Sequence, residues 1–187
     1  MAYAPVRHSS LTYLSNGIQP DYRWFCVGGY EGGAIVAEID ELYGFVNKPD
    51  ESLLRCWSRC FPESLVLVVE LGSVTNYFAY GLYRGTQCLR ALSGDSDHPL
   101  TLEKGDLQAQ EEKFYANSEI RDGERVFKVG SNGVVRKYRF PEIGEALAFA
   151  MAARFFGQPL DEFPMMKLEV EIFKDSRPWW PFRKKRP

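Results

Sequence analysis

Long apolar runs are missing from this 187-residue chain, and that absence excludes a membrane-spanning helix. The longest strongly apolar stretches, residues 65–69 and 146–153, are far shorter than the ~20 residues that a helix needs to cross a bilayer. No apolar segment typical of a signal peptide follows Met1. We therefore expect a cytoplasmic protein.

Motifs for catalysis and metal binding are missing as well. The chain has two histidines and four cysteines, and no two cysteines have the C-x-x-C spacing of zinc and redox sites. Neither a G-x-S-x-G nucleophile elbow nor an H-E-x-x-H zinc motif occurs. We therefore predict no catalytic residue, no metal and no cofactor. These absences argue against an enzyme without excluding one.

Cys56 and Cys60 are the one pair of thiols at helical spacing. One helical turn separates them, so they could hold a metal together with Cys88 and His98. Both positions, however, share an apolar helical stripe with Leu53, Leu54, Trp57 and Phe61. Since buried cysteine behaves as a small hydrophobic residue, the pattern predicts that both thiols lie in the core.

The composition, with 45% hydrophobic and 26% charged residues, is typical of a globular protein. Periodicity predicts helices over residues 51–61 and 141–156. Short β-branched and alternating runs predict an antiparallel meander over residues 65–92, a hairpin over 125–140 and a last strand over 167–172. The expected fold is α+β: an antiparallel sheet of meander and hairpin, packed by two to three helices.

A glycine-rich segment, residues 28–33, follows a predicted strand and is expected to be a loop. Residues 35–43 then have helical spacing, with a strand over 34–39 as the alternative. A glycine-rich loop between a strand and a helix is typical of phosphate sites, so a nucleotide-binding or small-molecule enzyme is one alternative function. The segment lacks a complete phosphate-loop motif, and Glu31 would repel a phosphate.

Acidic residues are concentrated in and just after a polar stretch, residues 93–106, which we predict to be a surface loop. Such a cluster is typical of a solvated surface, but with the neighbouring Phe114 and Tyr115 it also resembles a binding surface for a basic partner. The residues that we predict to contact a partner are Asp95, Asp97, Asp106, Glu111 and Glu112.

Charge divides the chain into an acidic body and a basic tail. Residues 1–173, predicted as a single domain, carry 17 basic and 24 acidic side chains, whereas residues 174–187 carry six basic side chains and one acid. This tail is rich in tryptophan and proline, and we expect it to dock on the acidic body, to remain a disordered solubilising segment, or to touch an anionic membrane. The acidic body argues against nucleic acid. The predicted contact residues of the tail are Trp179, Trp180, Phe182, Arg183, Lys184, Lys185 and Arg186.

Residues 80–92, which include Arg90, precede an acidic stretch that contains Gly105 and Glu111. A predicted helix late in the chain, residues 144–157, follows this stretch. This order of elements, over roughly residues 75–160, resembles that of small bacterial α+β proteins of the toxin-immunity type. The resemblance implies a protein-binding role and assigns no functional residue.

The function that we expect from the sequence is therefore a non-catalytic, intracellular protein-binding domain. Its partner is expected to be basic at the interface, and the resemblance implies a bacterial toxin that the protein neutralises. The alternatives are an enzyme built around the glycine-rich segment and a peripheral membrane role for the tail. The oligomeric state has no signal in the sequence.

Overall fold

The chain forms two compact units, one from both chain ends (residues 1–41 and 164–187) and one from residues 42–163. The computed structural model describes residues 3–10, 24–30, 33–38, 43–131, 134–162 and 169–175. The helices and antiparallel sheets in these residues confirm the α+β class.

The unit formed by the chain ends contains a four-stranded antiparallel sheet in the order β1–β11–β2–β3. Its strands are β1 (Tyr3–Ser10), β2 (Trp24–Tyr30), β3 (Gly33–Glu38) and β11 (Glu169–Asp175). β11 includes the first two residues of the predicted tail, while residues 176–187 lie outside the described residues. The division into a domain over residues 1–173 and a tail from residue 174 stays a prediction.

The glycine-rich segment belongs to a hairpin of this sheet, so two of our expectations for it are wrong. Gly28 and Gly29 lie in β2, where they pair with Ile35 and Ala34 of β3, and the described residues after the segment, 33–38, form this strand and not a helix. The alternative of a strand is confirmed. β-Branched residues at positions 35 and 36 fit a strand better than a helix, and pairing with β2 decides between the two.

The second unit begins with helix α1 (Glu51–Cys60), where the sequence predicts it. Asp50 caps its N-terminus by accepting hydrogen bonds from the backbone N–H groups of Ser52 and Leu53. Leu54 is buried, but Cys56 and Cys60 are exposed, so the prediction of two core thiols is wrong. At about 100° per residue, Cys56 and Cys60 lie roughly 200° and 240° around the helix from Leu54, on the side away from the sheet.

A four-stranded antiparallel sheet is the centre of this unit, and it confirms the predicted meander. Its strands, in spatial order, are β4 (Leu65–Gly72), β5 (Tyr77–Arg84), β6 (Gln87–Gly94) and β7 (Leu102–Gly105). β7 lies within the stretch predicted as a loop. Its four residues are too few to show the alternating pattern of a strand, and pairing with β6 defines it.

The last part of the unit comprises helix α2 (Ala109–Ala116), strands β8 (Ser118–Arg121), β9 (Glu124–Ser131) and β10 (Val134–Tyr138), and helix α3 (Phe140–Phe156). The β9–β10 hairpin and α3 confirm the sequence prediction. Gly157 ends α3 in the left-handed conformation, at φ 73°.

Two apolar clusters cover the faces of the central sheet. One face carries Phe78, Tyr80, Leu82 and Leu92, which pack with Phe127 and α3. The other face carries Val68, Ala79, Tyr83 and Ala91, which pack with Phe45 and Leu54 of the region around α1. The sheet therefore has a core on both sides.

Gly144 allows α3 to approach the central sheet closely. A Cβ atom at this position would lie 2.1 Å from Cγ of the buried Phe78 ring. No real Cβ atom tolerates such a distance, so helix and ring fit together only because the side chain is missing.

We predict that Gly144→Ala destabilises the protein, although alanine favours a helix by about 1 kcal/mol over glycine. Overpacking against Phe78 should lower the free energy of unfolding by about 1–3 kcal/mol, measured by urea denaturation. The control is Gly144→Ala combined with Phe78→Leu, in which the smaller side chain should reduce the penalty of the added methyl group. An increase in stability on Gly144→Ala alone would contradict the packing described.

Candidate functional site

An arginine and a glutamate form a buried ion pair between the central sheet and α2. Arg90 of β6 is 2% exposed, and Glu111 of α2 is fully buried. Nε of Arg90 donates to both carboxylate oxygens of Glu111 at 3.0 Å, and Nη2 donates to Oε1 at 2.9 Å. This multidentate geometry gives the carboxylate strong charge-assisted hydrogen bonds in place of water.

Glu111 is also part of the helix cap of α2, which explains why an acid is buried there. It is the third residue of the helix, and its Oε2 accepts a hydrogen bond from the backbone N–H of Gln108 at 2.9 Å. The same carboxylate thus satisfies a free N–H group at the helix start and the guanidinium of Arg90. One side chain connects the start of α2 to β6.

Three further side chains extend the pair into a network. The Tyr80 hydroxyl of β5 donates to Oε1 of Glu111. Nη2 of Arg90 also donates to the Tyr115 hydroxyl at 2.8 Å and to the Glu103 carboxylate at 3.1 Å, and the Tyr115 hydroxyl donates to Glu103 at 2.9 Å. The network therefore joins β5, β6, β7 and α2.

The two phenols and the guanidinium of this network keep their protons near neutral pH. Burial, and then the charge of Glu111, raise the pKa of Tyr80, while burial raises the pKa of Tyr115 although the Arg90 charge opposes it. Burial by itself lowers the pKa of Arg90, but the hydrogen bond and charge of Glu111 together with the neighbouring phenols outweigh it, so that pKa is raised. Neither phenol nor guanidinium therefore serves as an acid or base at neutral pH.

A cavity of about 350 Å³ adjoins this network. Glu103 belongs to both, because its carboxylate accepts from Arg90 and Tyr115 and its side chain lines the cavity. The residues around the cavity come from the β6–β7 connection, β7, the β8–β9 turn and the start of α3: Pro99, Leu100, Glu103, Ile120, Gly123, Glu124, Arg125, Arg139 and Phe140.

Charged side chains of both signs surround two exposed aliphatic residues of the cavity. Leu100 is 44% and Ile120 63% exposed. The Arg125 guanidinium lies 4.9 Å from the centre of the Tyr115 ring and donates to Oγ of Ser118 at 2.8 Å. Arg139 and Glu124, which also line the cavity, form a salt bridge of 3.5 Å.

A family model covers nearly all of this architecture. It describes a family of unknown function, DUF6928, and it matches residues 2–167. The chain belongs to this family. No curated protein and no solved structure matches the chain.

The acidic residues predicted to contact a partner do not form one surface. Glu111 is buried in the ion pair and unavailable to a partner in this structure, so its assignment to a surface is wrong. Asp95 accepts from the backbone N–H groups of Asp97 and His98, which lower its pKa, and so stabilises its own loop. Asp97, Asp106 and Glu112 are exposed.

The exposed acids divide into two groups at opposite ends of β7. β7 runs from Leu102, which pairs with Ser93, to Gly105, which pairs with Arg90. The residues before Leu102 and the residues after Gly105 therefore leave the strand at opposite ends. The Asp97 loop therefore lies at one end, and Asp106 with α2 lies at the other. Four strand residues of about 3.3 Å each separate them, which is about 13 Å.

Sequence reasoning named Arg90, Glu111 and Tyr115 but missed their roles in the network, and it missed the cavity. Arg90 had a usable signal, because it is the one charged residue in the apolar run of β6 (Gln87–Gly94). Glu111 had another, since a glutamate three residues after Gln108 has the spacing of a helix cap. Nothing in the sequence singled out Leu100, Ile120 or Arg125, which only the tertiary structure brings together.

Three other sequence hypotheses concern a metal site, a membrane-spanning helix and the C-terminal tail. Within the described ranges, no three His, Cys, Asp or Glu side chains are grouped so that they could hold a metal. No helix of the described part is long and apolar enough to cross a membrane. The predicted contact residues of the tail, from Trp179 to Arg186, lie outside the described residues.

We predict that Glu111→Gln lowers the free energy of unfolding by about 3–5 kcal/mol, because it removes the buried counter-charge of Arg90 and leaves only the part-exposed Glu103 carboxylate. The neighbouring Glu112→Gln provides a matched control, since the same change at an exposed position should stay within about 0.5 kcal/mol. Urea denaturation measures both. Equal effects of the two substitutions would show that the pair is not buried as described.

Proposed function

We propose that this protein is a non-catalytic protein-binding domain, and that the cavity beside β7 lies at the centre of its binding surface. The observation that carries the proposal is the exposure of Leu100 and Ile120 at this cavity, among charged side chains of both signs. Interfaces between proteins combine an apolar centre with a polar rim in this way.

The raised pKa values of the two phenols in the adjoining network support binding over catalysis. An acid–base catalyst works best with a pKa near the operating pH, whereas the pKa values of Tyr80 and Tyr115 are raised away from neutrality. A rigid ionic network suits a binding surface, because it holds Glu103 and the ring beneath Arg125 in place before the partner arrives.

Exposed acids next to the cavity-lining residues along the chain favour a basic partner. Asp97 and Asp106 flank the cavity residues of the β6–β7 connection and β7 along the chain, and Glu112 follows on α2. None of these three side chains has a salt bridge within the described residues. Unpaired exposed acids attract a basic partner and raise the rate of encounter.

A toxin is the partner that we propose, with this protein neutralising it as an immunity protein does. The support for this step is the resemblance of residues 75–160 to small proteins of the toxin-immunity type. A domain without catalytic groups can neutralise a toxin by covering its active site.

The experiment compares two substitutions in edge strands of the same sheet. Ile120 of β8 is 63% exposed beside the cavity, and Val135 of β10 is 64% exposed away from it. We predict that Ile120→Lys weakens capture of the native partner at least about tenfold, about 1.4 kcal/mol, because it places a charge in the apolar centre of the interface. Val135→Lys should leave capture unchanged. Capture uses the tagged full chain in lysate of the native cell, followed by affinity measurement.

A growth assay then tests the toxin step. The captured protein, expressed alone, should arrest growth, and co-expression of the wild-type chain but not of Ile120→Lys should restore it. Equal capture by the Ile120 and Val135 variants would contradict the cavity as the centre of the interface. Recovery of a bound small molecule without a protein would contradict the binding-domain proposal itself.

A further inference from the structure

Cys56 and Cys60 are exposed side by side on α1, which is unusual for a residue type that is among the most often buried. Four positions separate them, so they lie on one side of the helix, on successive turns. The apolar contacts of α1 use Leu54, with Leu53 and Trp57, so packing does not explain either thiol. The proposed binding surface uses neither of them.

The spacing of the two thiols suits a bridging ion better than a disulfide. Cβ atoms four residues apart on a helix are about 5–6 Å from each other, whereas a disulfide needs about 3.5–4.5 Å. If the metal–sulfur bonds are about as long as the 2.3 Å of a zinc thiolate, two sulfur atoms on opposite sides of an ion lie about 4.6 Å apart. This separation is close to the spacing of the two Cβ atoms, so the helix places the side chains at a suitable distance for a bridging ion.

The number of ligands selects the kind of ion. Zinc in structural sites takes four ligands, and among the described residues no third histidine, cysteine or carboxylate joins the two thiols. Soft thiolates favour Cu(I), which two sulfur ligands on opposite sides can hold. Binding releases one proton from each thiol and leaves a complex with a single negative charge.

Two arginines on the same helix supply positive charge next to this complex. Arg55 precedes Cys56, and Arg59 precedes Cys60 and follows Cys56 by three positions, on the adjacent turn. Arg55 pairs with Glu51, whereas Arg59 has no salt bridge within the described part of the chain and its Nε donates to the carbonyl of Arg55. Among the described residues, Arg59 is therefore a cation beside the thiols that no carboxylate neutralises.

From this arrangement we infer that Cys56 and Cys60 form a two-thiolate site for one Cu(I) ion on the surface of α1. The inference is independent of the proposed protein-binding function, since α1 contributes no residue to the cavity beside β7. It goes beyond that function by giving the chain a soft-metal site.

The test is a titration of the reduced full-length protein with Cu(I), without oxygen and in competition with a Cu(I) chelator of known affinity. The wild-type chain should retain one ion per monomer, with ultraviolet charge-transfer absorption of a copper thiolate. Cys56→Ser and Cys60→Ser should each lose the ion at the same chelator concentration. Both positions are exposed, so circular dichroism should show unchanged folding.

Two controls separate geometry from thiol content. Cys60→Ser combined with Ser58→Cys keeps the number of thiols but places them about 200° apart around the helix, and it should lose the ion. Cys88→Ser removes a half-buried thiol of β6 and should retain it. Retention by the Ser58→Cys double variant, loss in Cys88→Ser, or binding only by a dimer would each overturn the two-thiolate site.

Discussion

The ion pair between Arg90 and Glu111 is the interaction on which the geometry of the candidate site depends. Burying either charge alone costs several kcal/mol, so each requires the other to be in place. Glu111 meets this requirement with donors from β6, from β5 and from the N-terminus of α2. The orientation of α2 against the sheet follows, and with it the position of Tyr115, which contacts both Glu103 and Arg125.

The same network underlies the proposed role in recognition. Tyr80 and Arg90 are both hydrogen-bonded to Glu111, and the pKa values of Tyr80 and Arg90 are raised away from neutrality. What remains accessible is a cavity with aliphatic and charged walls, supported from below by the network. Because the network already holds its side chains in place, such a surface loses little conformational entropy when a partner binds.

Local patterns predicted much of the fold. Helices α1 and α3 have capping or terminating residues and clear periodicity, and the meander and the β9–β10 hairpin have turn residues between apolar runs. The edge strand β7 and the pairing of β11 with β1 and β2 depend on partners far away in the sequence. No local pattern encodes such pairing, so these elements were missed or only partly placed.

The site was harder to predict than the fold because residue type alone does not reveal burial. Glu111 and Glu112 are identical neighbours in the sequence, yet the helical rotation between them buries one and exposes the other. Cys56 and Cys60 show the reverse case, since an apolar stripe on α1 indicated burial and the sheet covers only the part around Leu54. The cavity joins four segments that only the tertiary fold brings together.

The most direct test of the role of the ionic network in binding is to measure the affinity of Tyr115→Phe for the captured partner. This substitution removes only the hydroxyl that accepts from Arg90 and donates to Glu103, and it leaves the ring beneath Arg125. Stability should fall by only about 1 kcal/mol, the net value of a hydrogen bond. If the network positions the cavity wall, partner binding weakens severalfold in isothermal titration calorimetry. If the variant binds as tightly as the wild-type chain, the network does not position the cavity wall for binding.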